Sequence, residues 1–140
     1  MQINSNFDSG NIEVIDASNP QQVLLAIRAD LNSAHFQWFH FQVSGLQPGQ
    51  RYGFSLGNAG QSSYKNAWSG YNAVASYDQV NWFRVPSRFE NGALNFDIEP
   101  LHAQIWFAYF EPYSRERHAL LIEDAQRLAG AELFACGKSI

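Results

Sequence analysis

Residues 35–44, His-Phe-Gln-Trp-Phe-His-Phe-Gln-Val-Ser, constrain this chain more than any other stretch. In extended form, Phe39, Phe41 and Val43 fall on one face and Trp38, His40 and Gln42 on the other. A period of two in a run of aromatic and β-branched residues specifies a strand. The same alternation returns at Tyr52, Phe54 and Leu56, at Leu94, Phe96 and Ile98, and at Ile105, Phe107 and Tyr109. Shorter apolar runs at 11–16, 23–28, 72–77 and 80–85 read as further strands. About eight strands, followed late in the chain by one helical pattern, predict an all-β, antiparallel β-sandwich.

Turn chemistry organises these strands. Pro48-Gly49 is expected to close a hairpin between 35–44 and 51–56, and Asp78-Gln79 a second between 72–77 and 80–85. Asn91-Gly92 carries the type I′ signature between 88–89 and 93–99, and residues 103–110 form the last long strand. Asn32 and Ser33 turn the chain ahead of residue 35, and residues 57–70 form a long loop rich in Gly, Asn, Ser and Gln. Pro112 ends the sheet. Ser114 is an N-cap for a helix over 115–128, whose stripe is Leu120, Leu121, Ala125 and Leu128. Gly130 stops it, and a strand starts over 132–136. The expected division is 1–112 for the sandwich and 113–140 for the beginning of a second, α/β unit.

Charge narrows the function classes. Only 16% of the 140 residues are charged, below the usual quarter, which implies that part of the surface is covered by something else. A formal net charge of -4 leaves no basic field for nucleic acid or anionic lipid. No apolar run is long enough for a membrane span, and residues 1–8 lack the pattern of a signal peptide. Cys136, the single cysteine, cannot form an internal disulfide and fits a reducing, cytoplasmic setting.

Catalytic and metal-ligating residues are expected to be absent from the chain. The histidines are His35, His40, His102 and His118, and three residues beyond them stand Trp38, Val43, Ile105 and Leu121. No His-x-x-Glu pair arises, and His35 and His40 are expected on opposite faces of one strand. Gly57-Asn58-Ala59-Gly60 lacks the Lys-Ser/Thr ending of a phosphate loop. The candidate partner or substrate-access surface has two parts. One is Tyr64, Trp68 and Tyr71 of the long loop with Trp82 and Arg84, read either as a binding surface or as a hydrophobic lid on the sandwich. The other is the junction at Tyr113 and Arg115, where capping and turn chemistry also operate.

Several segments together resemble the cytosolic carboxypeptidase-like zinc peptidases. Gln37-Trp38-Phe39-His40-Phe41-Gln42-Val43 is similar to a Gln-Trp-Phe-x-Phe-x-Val segment of that family. Gly49, Tyr52, Phe54 and Asn58, then Trp82-Phe83-Arg84-Val85-Pro86, then Phe110-Glu111-Pro112-Tyr113-Ser114, follow in the family's order. Gly137-Lys138-Ser139-Ile140 resembles the segment just upstream of its zinc-binding His-x-x-Glu. The resemblance implies a β-sandwich packed against an α/β carboxypeptidase domain that binds one zinc through His-x-x-Glu and a later His, with a Glu as general base. None of those residues falls within these positions. The expectation is therefore an accessory amino-terminal domain of a cytoplasmic zinc hydrolase, inactive by itself. It would support folding and shape substrate access, with zinc only in the full-length protein. Its partners would be a carboxypeptidase domain in cis and, through that domain, a peptide or protein substrate. The alternative is a free-standing carbohydrate- or protein-binding module, and the end at Ile140, just inside an element, favours the first. Self-association of the truncated chain is a further expectation.

Overall fold

In the computed structural model, which describes residues 1–29 and 34–112, ten strands form two five-stranded sheets packed face to face. They are β1 (Gln2–Asn4), β2 (Glu13–Asp16), β3 (Val23–Ala26), β4 (His40–Ser44) and β5 (Tyr52–Leu56). After the long loop come β6 (Ala73–Ser76), β7 (Phe83–Val85), β8 (Ser87–Glu90), β9 (Ala93–Ile98) and β10 (Ile105–Ala108). The first sheet has the order β1-β4-β10-β6-β7, and the second β2-β3-β5-β9-β8. The expected helix at 115–128 and strand at 132–136 lie outside the described residues, as do Asn32 and Ser33.

The core follows from the alternation. Phe41 and Phe107 of the first sheet face Phe54 and Phe96 of the second. Ring centroids stand 5.4 Å apart for Phe41–Phe107, 5.2 Å for Phe54–Phe107 and 5.1 Å for Phe96–Phe107. All four side chains are buried, together with Val43, Leu56, Leu94 and Ile105. At about 25 cal/mol per Å² of apolar surface, four phenylalanines removed from water are a major part of the folding free energy.

Three expectations about pairing are corrected. The Pro48-Gly49 turn does not close a hairpin, because β4 and β5 belong to different sheets. Its amides are taken by another segment: Leu46 N–H donates to Ala103 O and Gly49 N–H to Pro100 O, so the chain arches from one sheet to the other. The sandwich is also not purely antiparallel. β3 and β5 run parallel, with Val23 opposite Phe54 and Leu25 opposite Leu56. Between them the chain crosses to the first sheet to form β4, the long excursion a parallel pair needs. Finally, β6 and β7 are a hairpin, but with Ala73 opposite Val85 and Ala75 opposite Phe83. The connection thus includes residues 77–82 and not only Asp78-Gln79. The Asn91-Gly92 turn is as expected: both residues have positive φ, 54° and 78°, and Glu90 lies opposite Ala93.

The long loop is anchored. It winds into two short 3-10 turns, Ala59–Gln61 and Lys65–Trp68. Asn58 pins its start by accepting from Ile27 N–H and donating to Ile27 O, both at 2.9 Å, as a neighbouring strand would. Among the described residues no helix is long and apolar enough to cross a membrane.

Candidate functional site

The outward face of the first sheet is the unusual feature of the molecule. Register places His40 beside Ala108, Gln42 beside Trp106, Trp106 beside Ser76, and Val74 beside Arg84, all pointing away from the core. Such a face is normally solvated. Here His40 is 2% exposed, Val74 5%, and Ser76 and Ala108 are fully covered. Aromatic rings build the cover: Phe7, Trp38 and Trp82 stand 4.9, 5.9 and 6.0 Å from the His40 ring, and Phe110 lies 4.9 Å from Trp38.

Polar contacts fix this roof. Ser9, at a left-handed φ of 63°, places its Oγ 3.0 Å from His40 Nδ1, and Trp38 Nε1–H donates to Ser9 O at 2.7 Å. The amino-terminal loop is thereby tied across β4. Burial pushes the His40 imidazole down to about 4, against the opposing pull of the Asp8 carboxylate. His40 Nε2 and Trp82 Nε1 are buried with no hydrogen-bond partner among the described residues.

The roof runs into an open cleft of about 520 Å³ lined by His35, Gln37, Trp38, Tyr64, Tyr109 and Phe110. Gln37 holds its wall: Oε1 accepts from Tyr64 N–H at 2.9 Å and Nε2 donates to Tyr64 O at 3.3 Å. Beneath it, Trp68 Nε1–H donates to Ala59 O and Ser62 Oγ, and Tyr71 donates its hydroxyl to Tyr109 O. Burial, with the neighbouring Tyr109, pushes the Tyr71 hydroxyl far up from its ordinary range.

The sequence-derived surface residues are thus dispersed. Tyr64 is exposed on the cleft, with its ring 5.6 Å from His35. Trp82 belongs to the roof, and Arg84 stands on the outward face with its guanidinium on Asn72 O at 2.9 Å. Trp68 is fully buried and Tyr71 packs on it at 5.1 Å, so these two form the cleft's foundation and not its surface. The physical reason is that a long loop next to a sandwich end lowers its free energy by burying its largest ring. Tyr113 and Arg115 lie outside the described residues. Trp38, Trp106 and Phe110 were not among the residues expected on the partner surface. Their signal was aromatic content on both faces of the strands at 38–43 and 105–110, where one face would have sufficed for a core.

Among the described residues no three His, Cys, Asp or Glu side chains gather as a metal-ligand group. His40 is sealed under Trp82 while His35 packs on Tyr64. Flat aromatic area with isolated polar groups suits contact with another protein surface more than bond-making.

Residues 3–110 match the family described as the cytosolic carboxypeptidase N-terminal domain. A metallo-carboxypeptidase from Pseudomonas aeruginosa, solved in complex with (2-guanidinoethylmercapto)succinic acid, superposes with a TM-score of 0.86 at 60% identity, over 93% of this chain and 35% of that one. An uncharacterized protein of Zymomonas mobilis is 36% identical over all 140 residues, which are 36% of its own length. Mouse cytosolic carboxypeptidase 1 is 38% identical over 64 residues, 45% of this chain and 5% of that protein. The chain thus spans about a third of the length of its fully matched relatives.

Proposed function

The chain belongs to the cytosolic carboxypeptidase N-terminal domain family, and from that premise we propose that it is the accessory domain of a cytoplasmic zinc metallocarboxypeptidase that removes C-terminal residues from peptides or proteins. The observation that carries the reading is the aromatic cleft beside the roofed face of the first sheet, where Tyr64 and Phe110 stay exposed as a neighbour's contact would leave them. Its partner is the carboxypeptidase domain in cis, which holds the zinc and meets the peptide or protein substrate. Tyr64, Trp82 and Arg84 stand at the rim of that contact, and Tyr113 and Arg115 come just after Pro112 in sequence. A division near Pro112 is supported by the end of the family match at residue 110. The domain aids folding by covering apolar surface of its neighbour, and it shapes substrate access by bounding the route to the neighbour's active site.

The test uses the protein that carries both domains. Trp106→Gln and Arg84→Glu on the outward face should split one cooperative melting transition into two and lower kcat/KM on peptide substrates. Glu13→Lys, on the edge strand β2 of the other sheet, should do neither. A single unchanged transition and full activity in both outward-face variants would end this assignment.

A further inference from the structure

Another open depression, also of about 520 Å³, lies at the opposite pole from Pro112. The register fixes this placement: β10 runs from Ile105 toward Pro112, while Tyr77 follows Ser76 at the Ile105 end and meets His102 ring to ring at 4.9 Å. Tyr77 and Phe83, 5.6 Å apart, form the floor with Ile98, and Leu101 forms a wall. Leu101 N–H donates to the Tyr77 hydroxyl at 3.0 Å, which holds that wall in place. Large apolar side chains stay in water around it: Leu101 is 72% exposed, the nearby Val80 65% and Phe83 39%. The rim is acidic. Asp78 accepts from Asn81 N–H and Val80 N–H at 2.8 Å each, and from Asn81 Nδ2 and Ser76 Oγ, and the two amides foremost hold its carboxyl well below the usual carboxylate range. Glu99 stands on the same rim. The ion pair seen among the described residues joins Arg51 to Asp97, and among those residues neither Asp78 nor Glu99 has a cation within salt-bridge reach.

We propose that this groove docks a segment of a partner protein in which an apolar side chain is flanked by lysine or arginine. The apolar floor offers area to one side chain, and two carboxylates with no counter-cation among the described residues favour a cation beside it. An acidic segment meets like charge and is turned away. The groove is too open to enclose a small ligand, which normally loses most of its surface to its site. It shares no residue with the cleft and roof on the first sheet, so it stands independently of the docking assigned there.

The experiment is a titration of the 15N-labelled 140-residue chain, followed by amide NMR shifts. The probes are two capped tetrapeptides, acetyl-Lys-Leu-Phe-Lys-amide and acetyl-Glu-Leu-Phe-Glu-amide. The basic peptide should shift residues 77–83 and 98–101 and bind up to about tenfold tighter than the acidic one, a modest factor because the charge pairs are exposed. That preference should shrink at high salt. Glu99→Lys should erase it, and Leu101→Ser, at an exposed position, should weaken both peptides. Equal binding of the two peptides, shifts confined to other residues, or no shifts at millimolar peptide would overturn the proposal. So would self-association of the free chain, seen by light scattering, that moves the same amides, because the occupant would then be a second copy.

Discussion

Acidification from pH 7 to pH 4 should destabilise the sandwich through His40 before the carboxylates titrate. An exposed imidazole takes a proton near 6.5, but His40 in the fold takes one only near 4, because protonation would bury a charge beneath Phe7, Trp38 and Trp82. Between these values the unfolded chain binds a proton that the folded chain excludes, so stability falls as pH falls. At about 1.36 kcal/mol per pH unit, a gap of about 2.5 units gives at most about 3 kcal/mol. The contribution is fully present above 6.5, is lost progressively down to about 4, and changes no further below that. The loss is a large share of a typical domain stability of ~5–15 kcal/mol. The assay is a set of urea melts at pH 7, 6, 5 and 4, on the chain and on His40→Phe, which keeps an aromatic ring but removes the titrating nitrogen. The wild-type midpoint should drop across this window, and that component of the drop should vanish in His40→Phe. An unchanged midpoint between pH 6.5 and 4, or the same slope in His40→Phe, would refute the reasoning. Asp78 acts in a separate, lower window: held low by the Asn81 and Val80 amides, its contribution is present above the ordinary carboxylate value of 3.8 and is lost as pH falls through and below it.

Other outcomes follow from the packing. Phe41→Ala should cost about 3–5 kcal/mol in denaturant melts, since the ring is fully buried between Phe54 and Phe107. Asn58→Ala should cost about 1–3 kcal/mol and raise hydrogen exchange at Ile27, whose N–H and C=O both lose their partner. Gly53→Ala should cost about 1–3 kcal/mol, because a Cβ there would sit 2.3 Å from Gln21 O and push apart the entry to the parallel pair β3–β5. Zinc-loaded and dialysed 140-residue chain should retain no stoichiometric zinc by metal analysis, and one tight equivalent would contradict the ligand placement described above.

Local physics was legible in the sequence, and long-range pairing was not. The alternation of Phe39, Phe41 and Val43 and the Asn91-Gly92 turn each depend on a few neighbouring residues, and both appear as expected. The Pro48-Gly49 turn also forms, with Gly49 at φ 86°. Its direction, however, is decided by amide partners at Pro100 and Ala103, far along the chain, and no local signal carries that. β1 was unreadable for the same reason: Gln-Ile-Asn has little strand character, and Ile3 is in a sheet because Val43 is opposite it. At the candidate site, Tyr64, Trp82 and Arg84 could be named from composition, whereas the covered state of His40 depends on a loop from the amino terminus folding over it.

The order of strands in the first sheet has a consequence for biosynthesis. β10 is the last strand along the described chain, yet it lies in the middle of its sheet, between β4 and β6. A nascent chain extruded as far as β9 can pair all five strands of the second sheet, but holds the first as two fragments, β1–β4 and β6–β7, with nothing to join them. Phe41 then lacks its Phe107 neighbour and Val43 its Ile105 partner until Ile105–Ala108 leave the ribosome, at roughly 5–20 residues per second. Closure is thus a late event keyed to one four-residue segment, and a stop codon or a ribosomal stall before it leaves a sheet split down its centre instead of one short of an edge.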